Sequence, residues 1–469
     1  MFASRLANTI QLSLLLIFGI MCSLVLAEEG NSWTPGILLS SLIIILMYFK
    51  KDVFPKDVLD YLKISLIVIL LGTIYYIYPL GSEYIRIDDP YANYDSQKYA
   101  LSAKLLIETG SGLGHWLSIG IEQYIVSVYR TLGINEVNIL AINSLIFVFS
   151  IKIYKDIIWP ESNAGLSMPI VIAMIPLTFF YSIQPSKEIL SIFIVALFLK
   201  FVLDKSGLGF KKLSFGIALF FLALSVRFNL AAFLLAIYVF SHLKIDKKLL
   251  RRLISFTVIG FLGLIGANFV SMALFGLEAT FWIKHASSLL NAAETLEALG
   301  DSSGSEETGL AGTLKTILSP TNPFLNFLLI PIKMVFVWIS PFPVISGVFS
   351  IPITNIEINR YAYTLLASSS GILNFITLPA ILVIAKKINE LSRENKYIFL
   401  FILIYLAMVS FVYPTQFTRH RTLIEIPMYF LILRQLNVWI PYYKKAIILI
   451  GILCFLISFI LISLAYIYV

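Results

Sequence analysis

The sequence predicts an all-α protein that crosses a membrane many times and carries amphipathic helices on its outer face. Hydrophobic residues make up 59% of the 469-residue chain and charged residues only 13%, whereas soluble domains are roughly one quarter charged. The mean hydropathy is +0.89. Apolar runs of spanning length, about twenty residues each, recur from one end to the other. A β-barrel would show short alternating segments instead.

By apolar length the chain holds about thirteen spans, near 7–27, 35–49, 61–80, 138–155, 165–183, 187–204, 213–227, 228–243, 253–275, 362–385, 397–413, 422–439 and 446–468. The first run is long and lacks a cleavage site, so it is expected to remain a span. Basic residues fix the orientation. Arg5, Lys50, Lys51, Lys152, Lys155, Lys211, Lys212, the cluster at 244–252, Lys386, Lys387, Lys444 and Lys445 all fall on one side of this span list. That side is expected to be the cytoplasm, with the N-terminus on it and the chain in the inner (plasma) membrane. The net charge of +8 is thus spent on topology, the lipid bilayer is the partner, and no nucleic-acid role is expected. Cys22 and Cys454 sit inside apolar runs and read as small core residues. The chain divides into N-terminal spans (1–80), an outer acidic loop with interfacial helices (81–137), a core of spans (138–275), an outer loop with a re-entrant or surface hairpin (276–361) and C-terminal spans (362–469).

The outer intervals hold the chemistry. Residues 83–112 are the longest polar stretch of the first half, with Asp88, Asp89 and Asp95 among four tyrosines. A carboxylate there can serve as general base toward an acceptor hydroxyl, although Asp-Pro at 89–90 also suits an ordinary solvated turn and Asp95 suits a helix cap. Residues 113–133 mix aromatic and polar positions at helical spacing and predict a helix at the interface. Gln184-Pro-Ser-Lys187-Glu188 puts a Lys–Glu pair at the edge of a span, where charge is costly unless paired or wet; Lys187 fits a phosphate, or simple snorkelling. Arg227 lies alone between two apolar runs, and a guanidinium fork suits a phosphate. Residues 321–350 are apolar but interrupted by Pro331, Pro341 and Pro343. Arg419-His420-Arg421 forms a cationic knot on the outer side, against the positive-inside trend, fit to stabilise a leaving phosphate or to meet anionic lipid heads.

The order of these elements resembles the GT-C superfamily of polyprenyl-phosphate-dependent glycosyltransferases, family 39-like members included. The likeness rests on Asp95-Ser-Gln-Lys-Tyr99 to Ala103, Tyr124 to Asn143 through Leu132-Gly133, Pro176 to Ser182 with Pro185-Ser-Lys-Glu188, Arg227, Pro341-Phe-Pro343, and Arg419 and Arg421 followed by Pro427. It runs over roughly residues 84–430. The resemblance implies a GT-C-like fold, an outer-loop aspartate as base, later basic residues on the carrier phosphate, inversion at the sugar carbon, and an optional divalent metal as the only cofactor. Substrates would be a polyprenyl-phosphate-linked sugar and a glycan, lipid or protein acceptor. The chain departs from the family in placing the acidic loop after the third span, in having no large C-terminal outer domain, and in reading DDPYANYD, which leaves Asp88, Asp89 and Asp95 all open as the base. A polysaccharide polymerase or ligase, and a flippase or transporter of lipid-linked oligosaccharide, are the rival readings; transporters place polar groups at mid-bilayer.

Overall fold

A computed structural model describes residues 56–77, 95–110, 119–134, 136–160, 167–184, 186–204, 210–227, parts of 230–238, 329–339, 355–412 and 418–468. Every regular element among them is helical: α1 (Lys56–Ile77), α2 (Asp95–Thr109), α3 (Ile119–Leu132), α4 (Glu136–Ile158), α5 (Ser167–Ala173), α6 (Pro176–Ser182), α7 (Lys187–Leu203), α8 (Phe210–Val226), α9 (Ile330–Ile339), α10 (Asn355–Lys386), α11 (Arg393–Val412), α12 (Thr418–Trp439) and α13 (Pro441–Tyr468), with one 3-10 turn at Ile388–Glu390. The expected spans 7–27, 35–49 and 253–275, together with Asp88 and Asp89, lie outside the described residues.

Local chemistry sets the boundaries. Gly133 adopts φ +98° and its amide bonds Tyr129 O, ending α3 in the left-handed cap that glycine tolerates best. Asn138 then donates to Leu132 O and Gly133 O, locking the corner into α4. The run 165–183, expected as one span, is two short helices. Pro176 has no N–H to continue a ladder but suits the first turn of a new helix, so α5 closes with Ile175 N on Ile172 O and α6 starts afresh. Pro331 likewise sits in the first turn of α9 and does not break it.

Two described segments are long and apolar enough to cross a membrane, Leu365–Lys386 in α10 and Pro441–Ser458 in α13. Only 22% of the α13 segment is buried, unlike the core helix of a soluble protein. Leu449, Leu453, Leu456, Ile457 and Ile460 point outward from it, as do Ile372, Phe375 and Leu382 on α10 and Phe215, Ile217 and Phe221 on α8. Such apolar outer faces, on α8 and on the packed pair α10 and α13, are what lipid would cover. Cys454 is half-buried on α13, so it belongs to this outer helix more than to the core.

The bundle has two unlike ends. At one, Lys152 pairs with Asp156 at 2.6 Å, Lys444 lies over the Trp159 ring at 5.4 Å, Lys387 over Trp439 at 4.8 Å, and Arg434 donates to Ile158 O. Here α4, α10 and α12 finish and α11 and α13 begin. Because the ends of α4 and α12 meet, the two helices run in the same direction, and height above this basic end follows from the helical rise of about 1.5 Å per residue. Asn143 on α4 and residues 418–420 on α12 both come out roughly 20–25 Å up, at the opposite end. One close approach fixes that end. A Cβ on Gly120 of α3 would lie 2.5 Å from Ser225 Oγ and 2.8 Å from its backbone, so the start of α3 rests directly on the end of α8.

Candidate functional site

The turn between α6 and α7 organises the site. Pro185 disfavours helix at the residue before it, and the chain re-enters helix at Lys187. Gln184 O accepts from Ser186 N at 2.7 Å and from Asn143 Nδ2 at 2.5 Å. Asn143 Oδ1 in turn accepts from Tyr124 OH at 2.6 Å, and burial holds that phenol above its usual pKa, so it stays a donor. The turn is therefore pinned by α3 and α4 together. Ser186 is the extended N-cap of α7 (φ −119°, ψ 150°) but makes no side-chain cap; its Oγ donates back to Tyr181 O. Gln184 is 4% exposed, and its Nε2 is buried without a hydrogen-bond partner.

Two charged contacts follow. Lys187 Nζ donates to Tyr99 OH at 3.0 Å and stands 5.6 Å from the ring centroid. Tyr99 lies on α2, one turn after Asp95 opens that helix. Glu188, in the first turn of α7 where the helix dipole favours an anion, accepts from an Arg227 terminal nitrogen at 2.7 Å. Arg227 ends α8, its amide on Ala223 O. Thus Lys187 and Glu188, neighbours at the start of α7, meet Tyr99 and Arg227 respectively, and they bring α2, α7 and α8 to one place.

A second polar cluster lies deeper. Arg421 is fully buried; Nε donates to Glu425 Oε1 at 2.6 Å, one terminal nitrogen to Trp338 O at 2.9 Å and the other to Ser370 Oγ at 3.3 Å. Glu425, also fully buried, further accepts from Thr178 Oγ1 at 2.5 Å, Ser370 Oγ at 3.1 Å and Asn374 Nδ2 at 3.2 Å. Asn374 accepts from Tyr429 OH and donates to Trp338 O, and the Trp338 indole donates to Asn374 O at 3.1 Å. The knot ties α6, α9, α10 and α12. From Thr178 to Gln184 along α6, and from Glu425 to Asn143 by height above the basic end, it sits roughly 9 Å below the α6–α7 turn.

Arg421, expected as a phosphate ligand, is thus turned into the bundle with each of its nitrogens engaged there. The reason is spacing: at i,i+4 Glu425 faces it on the same helix, and an apolar surround makes that partner obligatory. Arg419 and His420 occupy the first turn of α12, level with the Gln184–Glu188 turn, and α12 packs on α6 and α7. Trp338 is buried in the knot. Sequence reasoning also missed Glu425, Asn374 and Glu122, and it named Gln184 only as part of the segment around Lys187 and Glu188. The first had a legible signal, an acid four residues after an arginine in an otherwise apolar run. Glu122 had one too, since it shares the buried stripe of α3 with Val126 and Tyr129. Asn374 had none, because an isolated amide in an apolar segment carries no pattern. Among the described residues no three His, Cys, Asp or Glu gather to hold a metal ion.

Comparisons of the chain with family models, with curated proteins and with solved structures return no match.

Proposed function

We propose that the chain is a polytopic membrane glycosyltransferase that moves a sugar from a polyprenyl-phosphate carrier to a glycan, lipid or protein acceptor at the outer face. The observation that carries this reading is the meeting of Lys187, Glu188 and Arg227 at the end of the bundle opposite the basic end, level with the first turn of α12 that holds Arg419 and His420. With the basic end cytoplasmic, the cluster faces outward, where a lipid-borne donor is the available form of activated sugar. About thirteen spans and a plasma-membrane location belong to the same proposal; the outward apolar faces of α8, α10 and α13 support it.

In this scheme a carboxylate of the acidic loop, Asp88, Asp89 or Asp95, takes the proton of the acceptor hydroxyl. The hydroxyl oxygen attacks the anomeric carbon, the bond from that carbon to the phosphate oxygen breaks, and the electron pair leaves with the phosphate. Lys187, Arg227, Arg419 and His420 surround the charge that develops there, and Glu188 orients Arg227.

The test is purified protein with a panel of polyprenyl-phosphate sugars, read as release of the carrier. Asp88→Asn and Asp89→Asn are expected to fold as the parent does, and at least one to lose transfer. Full activity in the double variant removes both as the base. Dead Arg227 and Arg419 variants beside fully active acidic ones would favour a polymerase or ligase, and lipid movement across liposomes without sugar transfer would favour a flippase.

A further inference from the structure

Gln184 is a buried amide with an unused donor, held in a turn that α3 and α4 pin. Its Nε2 finds no acceptor among the described residues, and leaving such a group unsatisfied is destabilising. The backbone carbonyl of the same residue is well used, Gln184 O accepting from both Ser186 N and Asn143 Nδ2. Directly after it, α7 begins with no side-chain cap, Ser186 Oγ being turned to Tyr181 O. First-turn N–H groups of an uncapped helix seek an acceptor, preferably an anionic one. Lys187 and the Glu188-oriented Arg227 stand at the same turn. Four kinds of donor are therefore carried by residues 184–187 and the helix end that Glu188 holds: a side-chain amide, helix N–H groups, an ammonium and a guanidinium.

We infer that Gln184 is a ligand-contacting residue, its side-chain N–H donating to an oxygen of a phosphate seated on the N-terminus of α7. This rests on the phosphate reading of Lys187 and Arg227 and adds to it a neutral donor. A neutral donor contributes direction without adding charge, so it fixes which phosphate oxygen faces the turn.

The experiment uses the full chain in detergent and three probes: inorganic phosphate, a short prenyl monophosphate, and the matching prenyl alcohol. Gln184→Leu removes the donor while keeping an apolar volume. The melting temperature of this variant without ligand is expected to rise, since an unsatisfied buried amide is gone, while phosphate binding weakens about tenfold, the loss of one charge-assisted hydrogen bond. Gln184→Glu, which brings a carboxylate against the anion, is expected to weaken binding further; it serves as the second reading should the leucine variant fold poorly. Loss seen with both phosphates identifies a free-phosphate site, loss confined to the prenyl monophosphate identifies a lipid head group, and the alcohol should bind the parent and both variants equally. Unchanged phosphate affinity in both variants overturns the inference. Absence of sugar transfer with phosphate binding that still depends on Gln184 removes the transferase reading alone.

Discussion

Two arginine–glutamate pairs lie near the same end of the bundle, and they differ in almost everything except their chemistry. Arg421–Glu425 is made within one helix, is wholly buried, and is surrounded by side chains that use up the polar atoms of both partners. Arg227–Glu188 joins two helices across 39 residues of chain, keeps Arg227 9% exposed, and borders a turn with an unsatisfied amide. The comparison teaches that enclosure, and an unused donor close by, distinguish the two pairs more than charge does. A closed network has nothing left to offer a ligand, and in a bilayer, where apolar burial gives no drive between helices, such polar contacts help to hold a bundle together.

Four substitutions sharpen or break that contrast. The largest effect is expected for Glu425→Ala, which strands the buried Arg421 guanidinium and should cost about 3–5 kcal/mol, read as a drop in thermal or denaturant stability in detergent. Replacing both partners, as in Arg421→Met with Glu425→Leu, should recover most of that loss; a double variant as unstable as the single one would mean that the knot does more than balance its own charges. Next comes Arg227→Ala. It should lower transfer by about a hundredfold, the loss of a transition-state contact of about 2.7 kcal/mol, with a smaller fall in stability than Glu425→Ala. The reverse ranking of the two stabilities would erase the distinction between site and scaffold. Trp338→Phe removes one donor to Asn374 O and should cost about 1 kcal/mol with transfer retained. The smallest change is expected from Tyr99→Phe. It takes away the hydroxyl that Lys187 bonds, leaves the ring beneath the ammonium, and should alter KM a few-fold at constant melting temperature.

Much of the helical framework was legible in the sequence, for a physical reason. Long apolar runs end where charge begins, so 138–155, 187–204 and 213–227 anticipate α4, α7 and α8 to within three residues at each end. The break at Met174–Ile175 was not anticipated, because the apolar run continues through a proline that interrupts hydrogen bonding but not hydropathy. The site was legible in part. Lys187, Glu188 and Arg227 stood out as charges among apolar neighbours, but their pairing depends on helix packing that no local pattern encodes. Arg421 was misread for a related reason. A cation beside Arg419 and His420 looks like part of one exposed knot, whereas the turn of the helix swings it inward toward Glu425.

The contact at Gly120 bears on how this end of the protein can move. With no room even for a methyl group between that residue and Ser225, α3 is riveted to the last turn of α8 and cannot swing as an independent flap. Any displacement of α3 carries Arg227, two residues beyond the rivet, along with it. Substrate entry from that flank would have to tilt α3 and α8 as one lever, so a bulkier residue at position 120 should disturb the arginine without ever touching it.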